Sequence, residues 1–244
     1  KEDKLYSLKP TNGDGDFNFT RASSATRVNS EGLIEDVPVN KLTYSNTFTS
    51  GWGAIGLTPT SGESGYDGSS DAWLLSKTAI AGRIFTSVSQ SGINTFSVYI
   101  KEGTLSWVRL MVNAASTYDM YFDLNGGVLG TSTYGGQIDA TITSVGGGWY
   151  KCTLSVNDAL TLVRIYPADA DGSVTGTSGN IYIQDAQLNK GATAKPYFPT
   201  TDGLNVPRID YTGGGCGKLL LENQRTNLIT YSESFSQWTQ TRTT

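Results

Sequence analysis

Short runs in which apolar and polar residues alternate recur through the middle of the chain, separated by clusters of Gly, Ser, Asn and Asp. Because successive side chains of a strand point to opposite faces of a sheet, each run predicts a half-buried strand. The runs are Asp71–Ser76, Thr95–Lys101, Ser106–Asn113, Tyr118–Leu124, Gln137–Val145, Trp149–Val156, Leu160–Tyr166 and Asn180–Leu188. Short strands with turn signals between them predict an all-β fold, an antiparallel β-sandwich of the jelly-roll type. No run has the spacing of a helix longer than one turn.

The same alternation assigns side chains to the two faces of each sheet. One face carries the predicted core residues Phe96, Val98, Ile100, Val108, Leu110, Val112, Val163 and Ile165. Cys152 is predicted to share this buried side with its strand neighbours Tyr150, Leu154 and Val156. The opposite face carries Tyr99, Lys101, Trp107, Arg109, Met111, Tyr121, Trp149, Lys151, Arg164 and Tyr166. So many rings are unusual on a solvated face and indicate a surface that meets a partner.

Two segments of the chain are related by an internal repeat. Phe17–Thr49 aligns without a gap with Leu204–Ser236, and nine positions are identical where composition alone would supply about two. The repeat predicts an N-terminal connector at 1–39, a jelly-roll domain at 40–201, a second connector at 202–226 and the first strand of a following unit at 227–244. A unit that stops at its first strand favours a segment of a longer array. The alternative is an old duplication without present meaning.

Composition excludes several classes of protein. The chain has 244 residues and no His, so Ser–His and Cys–His nucleophile systems and imidazole metal sites are impossible. A formal net charge of −4 gives no basic footprint, and we expect neither nucleic acid nor a membrane as a partner. No apolar run reaches the length of a membrane helix and no signal-peptide pattern opens the chain, which predicts a soluble protein. Cys152 and Cys216 lie too far apart in sequence for a CxxC motif.

The outward aromatic and arginine side chains form the candidate binding site. Sugar rings present apolar C–H faces and hydroxyl rims, so a glycan site needs aromatic platforms beside planar hydrogen-bond donors. The candidate residues are Tyr99, Trp107, Arg109, Tyr121 and Arg164. The alternative is that a connector, a loop or a neighbouring subunit covers these rings. Trp149 follows a run of glycines and is assigned to packing at the start of its strand.

The sequence requires neither a cofactor nor catalysis. Ca²⁺ is the one cofactor for which ligands are suitably placed, since a jelly roll brings Asn46 near Asp185 of the last strand. The favoured alternative is a turn Asn and a surface Asp. Asp119 and Asp123 share one strand face, and their spacing permits the carboxylate pair of a glycoside hydrolase. Such coincidences are expected among 22 acidic residues, and we expect the protein not to be an enzyme.

Six runs keep a characteristic order and spacing across residues 40–201: Thr95–Gly103, Trp107–Leu110, Tyr121–Leu124, Val145–Cys152, Ile181–Gly191 and Tyr197–Thr201. They resemble a module recurrent in bacteriophage tail and virion proteins, which is similar to the jelly-roll carbohydrate-binding modules of families 4 and 9. The flanking runs resemble connectors of phage structural proteins: Phe17–Val28, Gly32–Glu35, Pro207–Tyr211 and Leu219–Leu228. The resemblance therefore extends over nearly the whole chain.

The resemblance implies a noncatalytic module on a virion surface appendage, such as a tail or head fibre, that binds bacterial surface polysaccharide. It also implies contacts with other virion subunits in a homo-oligomer, for which a trimer is one form. Ligand residues vary among carbohydrate-binding modules, so none is carried over. Asn189 stands after Leu188 where such phage modules often carry an acidic residue, which argues against carrying over calcium ligation. The alternative function is a purely structural spacer or decoration protein of the particle.

Overall fold

The computed structural model describes residues 25–37, 39–200, 208–215 and 217–220. Its strands are β1 (Thr26–Val28), β2 (Ile34–Asp36), β3 (Gly53–Ile55), β4 (Leu57–Glu63), β5 (Ala72–Lys77), β6 (Arg83–Gln90), β7 (Ile93–Glu102), β8 (Trp107–Asn113), β9 (Thr117–Asp123), β10 (Val128–Leu129), β11 (Asp139–Gly146), β12 (Trp149–Asn157), β13 (Leu160–Ala168), β14 (Asn180–Lys190), β15 (Ile209–Asp210) and β16 (Lys218–Leu219). These described residues contain no helix, and hence no helix long and apolar enough to cross a membrane.

Strands β3 to β14 form two six-stranded sheets that pack face to face. The first sheet has the order β10-β9-β8-β13-β6-β3, and the second has the order β11-β12-β7-β14-β5-β4. Neighbouring strands are antiparallel throughout, and the chain crosses between the sheets repeatedly, as from β6 to β7 to β8. This is the antiparallel jelly-roll sandwich that the alternation predicts, so the predicted fold class is confirmed.

The eight predicted strands are all present, with ends displaced by at most two residues. Two further long strands, β4 and β6, were missed. β4 is an edge strand that contains Pro59 and Gly62 and is mostly exposed, so it has no apolar alternation to detect. In β6 the core side includes the polar Thr86, while the outer side carries Arg83 and Phe85, which blurs the two-residue period.

The core lies between the two sheets. The eight predicted core residues are fully buried, and so are Cys152, Leu154 and Val156, which confirms the assignment of faces in these strands. The segment before β3 adds Phe48, whose ring packs edge-to-face on Trp52 and Trp73 with centroids 5.1 and 5.9 Å apart. The sandwich therefore has a continuous apolar centre.

The segment 191–200 covers part of the outer face of the second sheet. Gln187 Nε2 donates to the carbonyl oxygen of Lys195 at 3.0 Å, and Gln187 Oε1 accepts from the backbone N–H of Phe198 at 2.8 Å. Asn189 Oδ1 accepts from the backbone N–H of Lys195 at 3.0 Å. Both amide side chains are buried, so they fasten the segment to β14 without a strand ladder.

Two short hairpins, β1-β2 and β15-β16, lie outside the two large sheets and contact each other. Asp210 Oδ1 accepts from the backbone N–H of Val28 at 2.8 Å, and the backbone N–H of Tyr211 donates to Val28 O at 3.0 Å. The repeat aligns Thr26–Val28 with residues 213–215, which form a turn, so the hairpins use different positions of the repeat.

Much of the repeat falls outside the described residues. This holds for residues 1–24, for Cys216 and for the unit predicted at 227–244. The domain boundaries drawn from the repeat therefore stay predictions, while the sandwich itself is described from Gly53 to Lys190.

Candidate functional site

The outer face of the first sheet carries rings and guanidinium groups in rows that cross the strands. One row contains Tyr121, Arg109, Tyr166 and Arg83, on β9, β8, β13 and β6. The next row contains Asp119, Met111, Arg164 and Phe85 on the same strands. These eight residues, with Trp107 and Tyr134, are called the arginine–aromatic face below. They alternate along the strands with the buried residues Ile84, Val108 and Leu110, and so point away from the core.

Rings and guanidinium groups alternate in contact along the first row. Cζ of Arg109 lies 5.4 Å from the ring centroids of both Tyr121 and Tyr166. Cζ of Arg83 lies 5.7 Å from the centroid of Tyr166 on the next strand. At such distances a guanidinium group is attracted to the negative face of an aromatic ring. The row therefore holds planar donors and apolar rings in fixed positions beside one another.

Asp119 clamps a loop over the centre of this face. Its Oδ2 accepts from Nε and Nη2 of Arg109, each at 2.7 Å. Its Oδ1 accepts from Ser132 Oγ at 3.1 Å and from the backbone N–H groups of Thr133 and Tyr134 at 2.8 and 3.1 Å. The Tyr134 ring in turn lies over Arg109, with its centroid 5.6 Å from Cζ. One buried carboxylate thus fixes both the guanidinium group and the loop 130–137.

Five side chains of the arginine–aromatic face are at least partly open to solvent, whereas Met111 and Tyr166 are buried like Asp119, Arg109 and Tyr121. Tyr134 has 58% of its surface exposed. The half-buried side chains are Trp107, Arg83, Phe85 and Arg164. The Phe85 ring lies against β3, where a Cβ on Gly53 would come 2.5 Å from the ring, so only glycine allows this close approach. Three rings and two guanidinium groups are therefore what a ligand would meet.

The structure brings together four of the five predicted binding residues. Trp107, Arg109, Tyr121 and Arg164 all lie on the arginine–aromatic face. However, Tyr121 and Arg109 are only 2% and 8% exposed, because the loop 130–137 lies over them. The expectation that these two side chains lie on a solvated surface is wrong, and the alternative of a covering loop applies to them. Arg109 and Tyr121 therefore lie below the surface that a ligand would contact.

Tyr99 lies on the second sheet, in β7, and does not join the other four residues. Its ring stacks on Tyr66, with centroids 3.9 Å apart and 9° between the planes, and Lys151 Nζ lies 5.6 Å from its centroid. Trp149 is 3% exposed and packs edge-on against Tyr66 at 6.3 Å. The grouping of Tyr99 with the other candidates is therefore wrong, because its own chain occupies its ring. The assignment of Trp149 to packing is confirmed.

Asn46 and Asp185 lie together, as predicted, and hydrogen bonds engage their polar atoms. The backbone N–H of Asp185 donates to Asn46 Oδ1 at 3.1 Å, and Tyr66 Oη donates to Asp185 Oδ2 at 2.9 Å. Burial, aided by the charges of Asp71 and Asp67 and opposed by hydrogen bonds such as that from Tyr66, raises the pKa of the Asp185 carboxyl to about 7.

These contacts occupy only part of the acceptor capacity of the two side chains, because an amide or carboxylate oxygen carries two lone pairs. In the described parts of the chain, no three His, Cys, Asp or Glu side chains are arranged to hold a metal ion. Calcium ligation by Asn46 and Asp185 stays a prediction.

The two carboxylates considered for hydrolysis both have partners within the first sheet. Asp119 is fully buried beneath the loop it clamps, so its oxygens cannot reach a glycosidic bond at the surface. Asp123 Oδ1 accepts from the backbone N–H of Asn125 at 2.9 Å in the turn after β9. The arrangement is suited to holding the sheet and its loop in shape.

Sequence reasoning missed three members of the arginine–aromatic face. Arg83 and Phe85 come with β6, and their alternation with Ile84 and Thr86 is the signal that could have found them. Tyr134 lies in a loop without a strand pattern, where only the hydrogen bonds to Asp119 place it over the sheet. All three are at the open part of the face.

Comparison with protein-family models and with curated proteins gives no match. Among solved structures, the CBM22-1 and GH10 modules of endo-1,4-beta-D-xylanase 10B from Clostridium thermocellum, complexed with xylohexaose, are 14% identical with a TM-score of 0.38, covering 66% of this chain and 30% of that chain. TmCBM61 in complex with beta-1,4-galactotriose is 12% identical with a TM-score of 0.37, covering 62% of this chain and 99% of that chain.

A third similar structure is the enzymatically active domain of tailspike protein 4 from bacteriophage CBA120. It is 13% identical with a TM-score of 0.38, covering 62% of this chain and 21% of that chain. The present chain thus spans less than a third of the xylanase and tailspike structures.

Proposed function

We propose that this protein is a noncatalytic glycan-binding module whose ligand lies across the open part of the arginine–aromatic face. The observation that carries the proposal is the group of accessible rings and guanidinium groups on the side of the sheet away from the core, formed by Trp107, Tyr134, Phe85, Arg83 and Arg164. A ring-and-guanidinium surface of this kind offers stacking faces for sugar C–H groups and planar donors for hydroxyl groups.

The exposed residues provide two kinds of contact to a ligand. Phe85, Trp107 and Tyr134 provide apolar contact, and Arg83 and Arg164 provide hydrogen bonds at the rim of the rings. Arg109 and Tyr121 lie beneath the accessible surface. The Arg109 guanidinium group contacts the rings of Tyr134 and Tyr166 and so helps to position the exposed residues. Affinity of one such open site is expected to be modest, and repetition of the site along a multivalent particle raises it by avidity.

The proposed setting is a phage virion, on a tail or head fibre, and the proposed ligand is a bacterial surface polysaccharide. The support for this setting is the sequence resemblance of the runs across residues 40–201 and of the flanking connectors. Other virion subunits are the expected protein partners, in a homo-oligomer such as a trimer. The module itself is proposed to leave the polysaccharide intact, since the buried Asp119 cannot act on it.

The test is retention of glycans by the whole chain and by alanine variants. The chain is screened on an array of bacterial surface polysaccharides, and every bound glycan is incubated with the protein and assayed for new reducing ends. Trp107→Ala and Tyr134→Ala are expected to weaken retention by about tenfold or more. Tyr182→Ala, which removes a half-buried ring from the second sheet, is the matched control and is expected to bind normally. Absence of binding across the array overturns the proposal, and release of reducing ends overturns its noncatalytic part.

A structural role in the particle is the second candidate, and one observation favours it. Val128, Leu129, Tyr134 and Ile138 are 54%, 44%, 58% and 47% exposed along β10 and the loop that follows. Exposed apolar residues in one stretch are typical of subunit contacts. If Val128→Ser changes the molar mass measured by light scattering while glycan retention is absent throughout, the spacer function replaces the binding function. If retention is lost in Tyr134→Ala at unchanged molar mass, the binding function stands.

A further inference from the structure

We propose that the glycan bound by the arginine–aromatic face is acidic, and that Arg83 and Arg164 bind a carboxylate carried by one of its sugars. This inference rests on the proposed function and narrows it to one class of ligand. It comes from the contrast between these two arginines and the third arginine of the same face, Arg109.

Arg109 forms an ion pair with the carboxylate of Asp119, whereas Arg83 and Arg164 form no ion pair with a described residue. The ion pairs among the described residues are Arg27–Glu35, Lys77–Asp169 and Arg109–Asp119, and none involves Arg83 or Arg164. The Nε atoms of both arginines are buried without a hydrogen-bond partner in the described structure. A buried donor of a charged group that stays unpaired is unfavourable. These Nε atoms have no surface that a ligand can reach, so an anion bound here meets the Nη groups of the two half-buried side chains.

The remaining contacts of the two arginines orient them without neutralising them. Arg83 Nη1 donates to the carbonyl oxygen of Ala81 at 3.2 Å, and its guanidinium group lies over the ring of Tyr166. Arg164 Nη1 contacts Met111 Sδ at 3.3 Å, and thioether sulfur is only a weak acceptor. Both guanidinium groups are therefore held in place by neutral neighbours, so little conformational entropy is lost when they bind an anion.

The register places the two arginines at neighbouring positions of one sheet face. Arg164 lies opposite Phe85, and Arg83 is two residues from Phe85 on the same face of β6. Diagonal positions of this kind in adjacent antiparallel strands are about 7–8 Å apart, a spacing that one sugar can span. A carboxylate accepts paired hydrogen bonds from planar guanidinium groups, while the half-buried Phe85 ring, which lies against Gly53 of β3 beside the two arginines, offers apolar contact to the sugar ring.

The unneutralised positive charge of the face lies at two of its side chains. Asp119 neutralises Arg109, and the carboxylates of Asp123 and Asp171 lie beside Trp107, whereas Arg83 and Arg164 have no carboxylate partner among the described residues. An anion is therefore favoured at Arg83 and Arg164 and disfavoured beside Trp107.

The test compares charged and neutral forms of the same polysaccharides. Polygalacturonate, alginate, hyaluronan and polysialic acid are each immobilised beside a carboxyl-reduced preparation, and binding of the whole chain is measured by biolayer interferometry. The expected result is binding to at least one of the four that falls by about tenfold or more after carboxyl reduction. Equal binding to a probe and its reduced form overturns the inference and leaves glycan binding intact. Absence of binding to all eight preparations and to the polysaccharide array overturns both.

Variants assign the effect to the two arginines. Arg83→Gln and Arg164→Gln are each expected to weaken binding of the charged probe by about tenfold and to leave the thermal midpoint unchanged or raised, because each removes an unpaired buried donor. Arg164→Lys retains the charge and is expected to lose less affinity. Lys101→Gln removes the same charge from the second sheet and serves as the control with normal binding. Wild-type affinity in both Gln variants, or an equal loss in Lys101→Gln, contradicts the proposal.

Discussion

Asp119 and Asp123 are chemically identical and lie four residues apart on the same face of β9, yet their surroundings give them different roles. Asp119 is fully buried, is paired with Arg109 and accepts two backbone N–H groups of the loop. Asp123 is half-buried and caps a turn through Asn125. At the scale of a single residue, burial and the number of donors decide which carboxylate the fold depends on.

Asp119→Asn is expected to lower the free energy of unfolding by about 3 kcal/mol, because it leaves the buried guanidinium group of Arg109 without a counter-charge. Asp123→Asn has the same change of atoms and is expected to cost less than about 1 kcal/mol. Urea unfolding of both variants at pH 7 measures the difference. Equal losses would show that the Arg109 ion pair is not what stabilises the loop and the sheet centre.

Asp185 gives the protein a pH dependence of known sign. Its pKa in the folded chain is about 7, raised by burial from an ordinary value of 3.8. Between these two pH values the folded state keeps a proton that the unfolded chain has lost, so the free energy of unfolding falls as the pH rises from about 4 to 7. Asp185→Asn is expected to remove this fall, which amounts to up to about 4 kcal/mol. Asparagine also tolerates the backbone at this position, where φ is 57°.

The measurement for Asp185 is a set of urea unfolding curves at pH values from 4 to 8 for the wild type and for Asp185→Asn. The two profiles should converge at acid pH and separate towards neutral pH, with the variant more stable there. Parallel profiles would mean that the Asp185 carboxyl is ionised in the folded state as readily as in the unfolded chain.

At the scale of an element, the segment 191–200 shows how side-chain amides can replace a strand ladder. Gln187→Ala removes a buried amide that joins β14 to Lys195 and Phe198. It leaves the backbone N–H of Phe198 unpaired, while the Lys195 carbonyl oxygen still accepts from Lys151 Nζ. We expect a loss of about 2 kcal/mol in the free energy of unfolding, together with faster chymotryptic cleavage between Tyr197 and Phe198. Unchanged cleavage would show that the segment is held by its own conformation.

Gln137→Ala is the matched control for this prediction. Gln137 is half-buried, and its side-chain oxygen accepts only a long hydrogen bond within the described residues, from Ser132 Oγ at 3.5 Å. The same truncation there is expected to change the free energy of unfolding by less than about 0.5 kcal/mol and to leave chymotryptic cleavage after Tyr197 unaltered.

Elements differ in how far the sequence predicts them. β7 and β8 were predicted closely, because their core sides are continuous aliphatic or aromatic residues and their outer sides are not. β6 was missed, because Thr86 stands on its core side and Phe85 on its outer side. That one strand supplies two of the open residues of the arginine–aromatic face, so the element hardest to detect is also central to the candidate site.

At the scale of the whole molecule, the two hairpins form a unit joined by backbone and side-chain hydrogen bonds near Val28 and Asp210. Asp210→Ala is expected to speed hydrogen exchange at the Val28 amide, whose acceptor it removes, and to leave the unfolding midpoint of the sandwich unchanged. Exchange at Cys152, in the centre of β12, is the internal control. A shift of the sandwich midpoint would show that hairpins and sandwich unfold together.

The amino-acid pattern is enough to assign each residue of the predicted core and outer sets to one side of its strand, because the two-residue period of a strand is a local property. Which of the outward residues meet solvent depends on how the strands and loops assemble. Tyr121 is covered by a loop held at Asp119, and Tyr99 by the ring of Tyr66, through contacts between residues distant in sequence. Arg83 and Arg164 are neighbours because β6 pairs with β13. These strands are distant in sequence, so their pairing is set only when the sheet assembles.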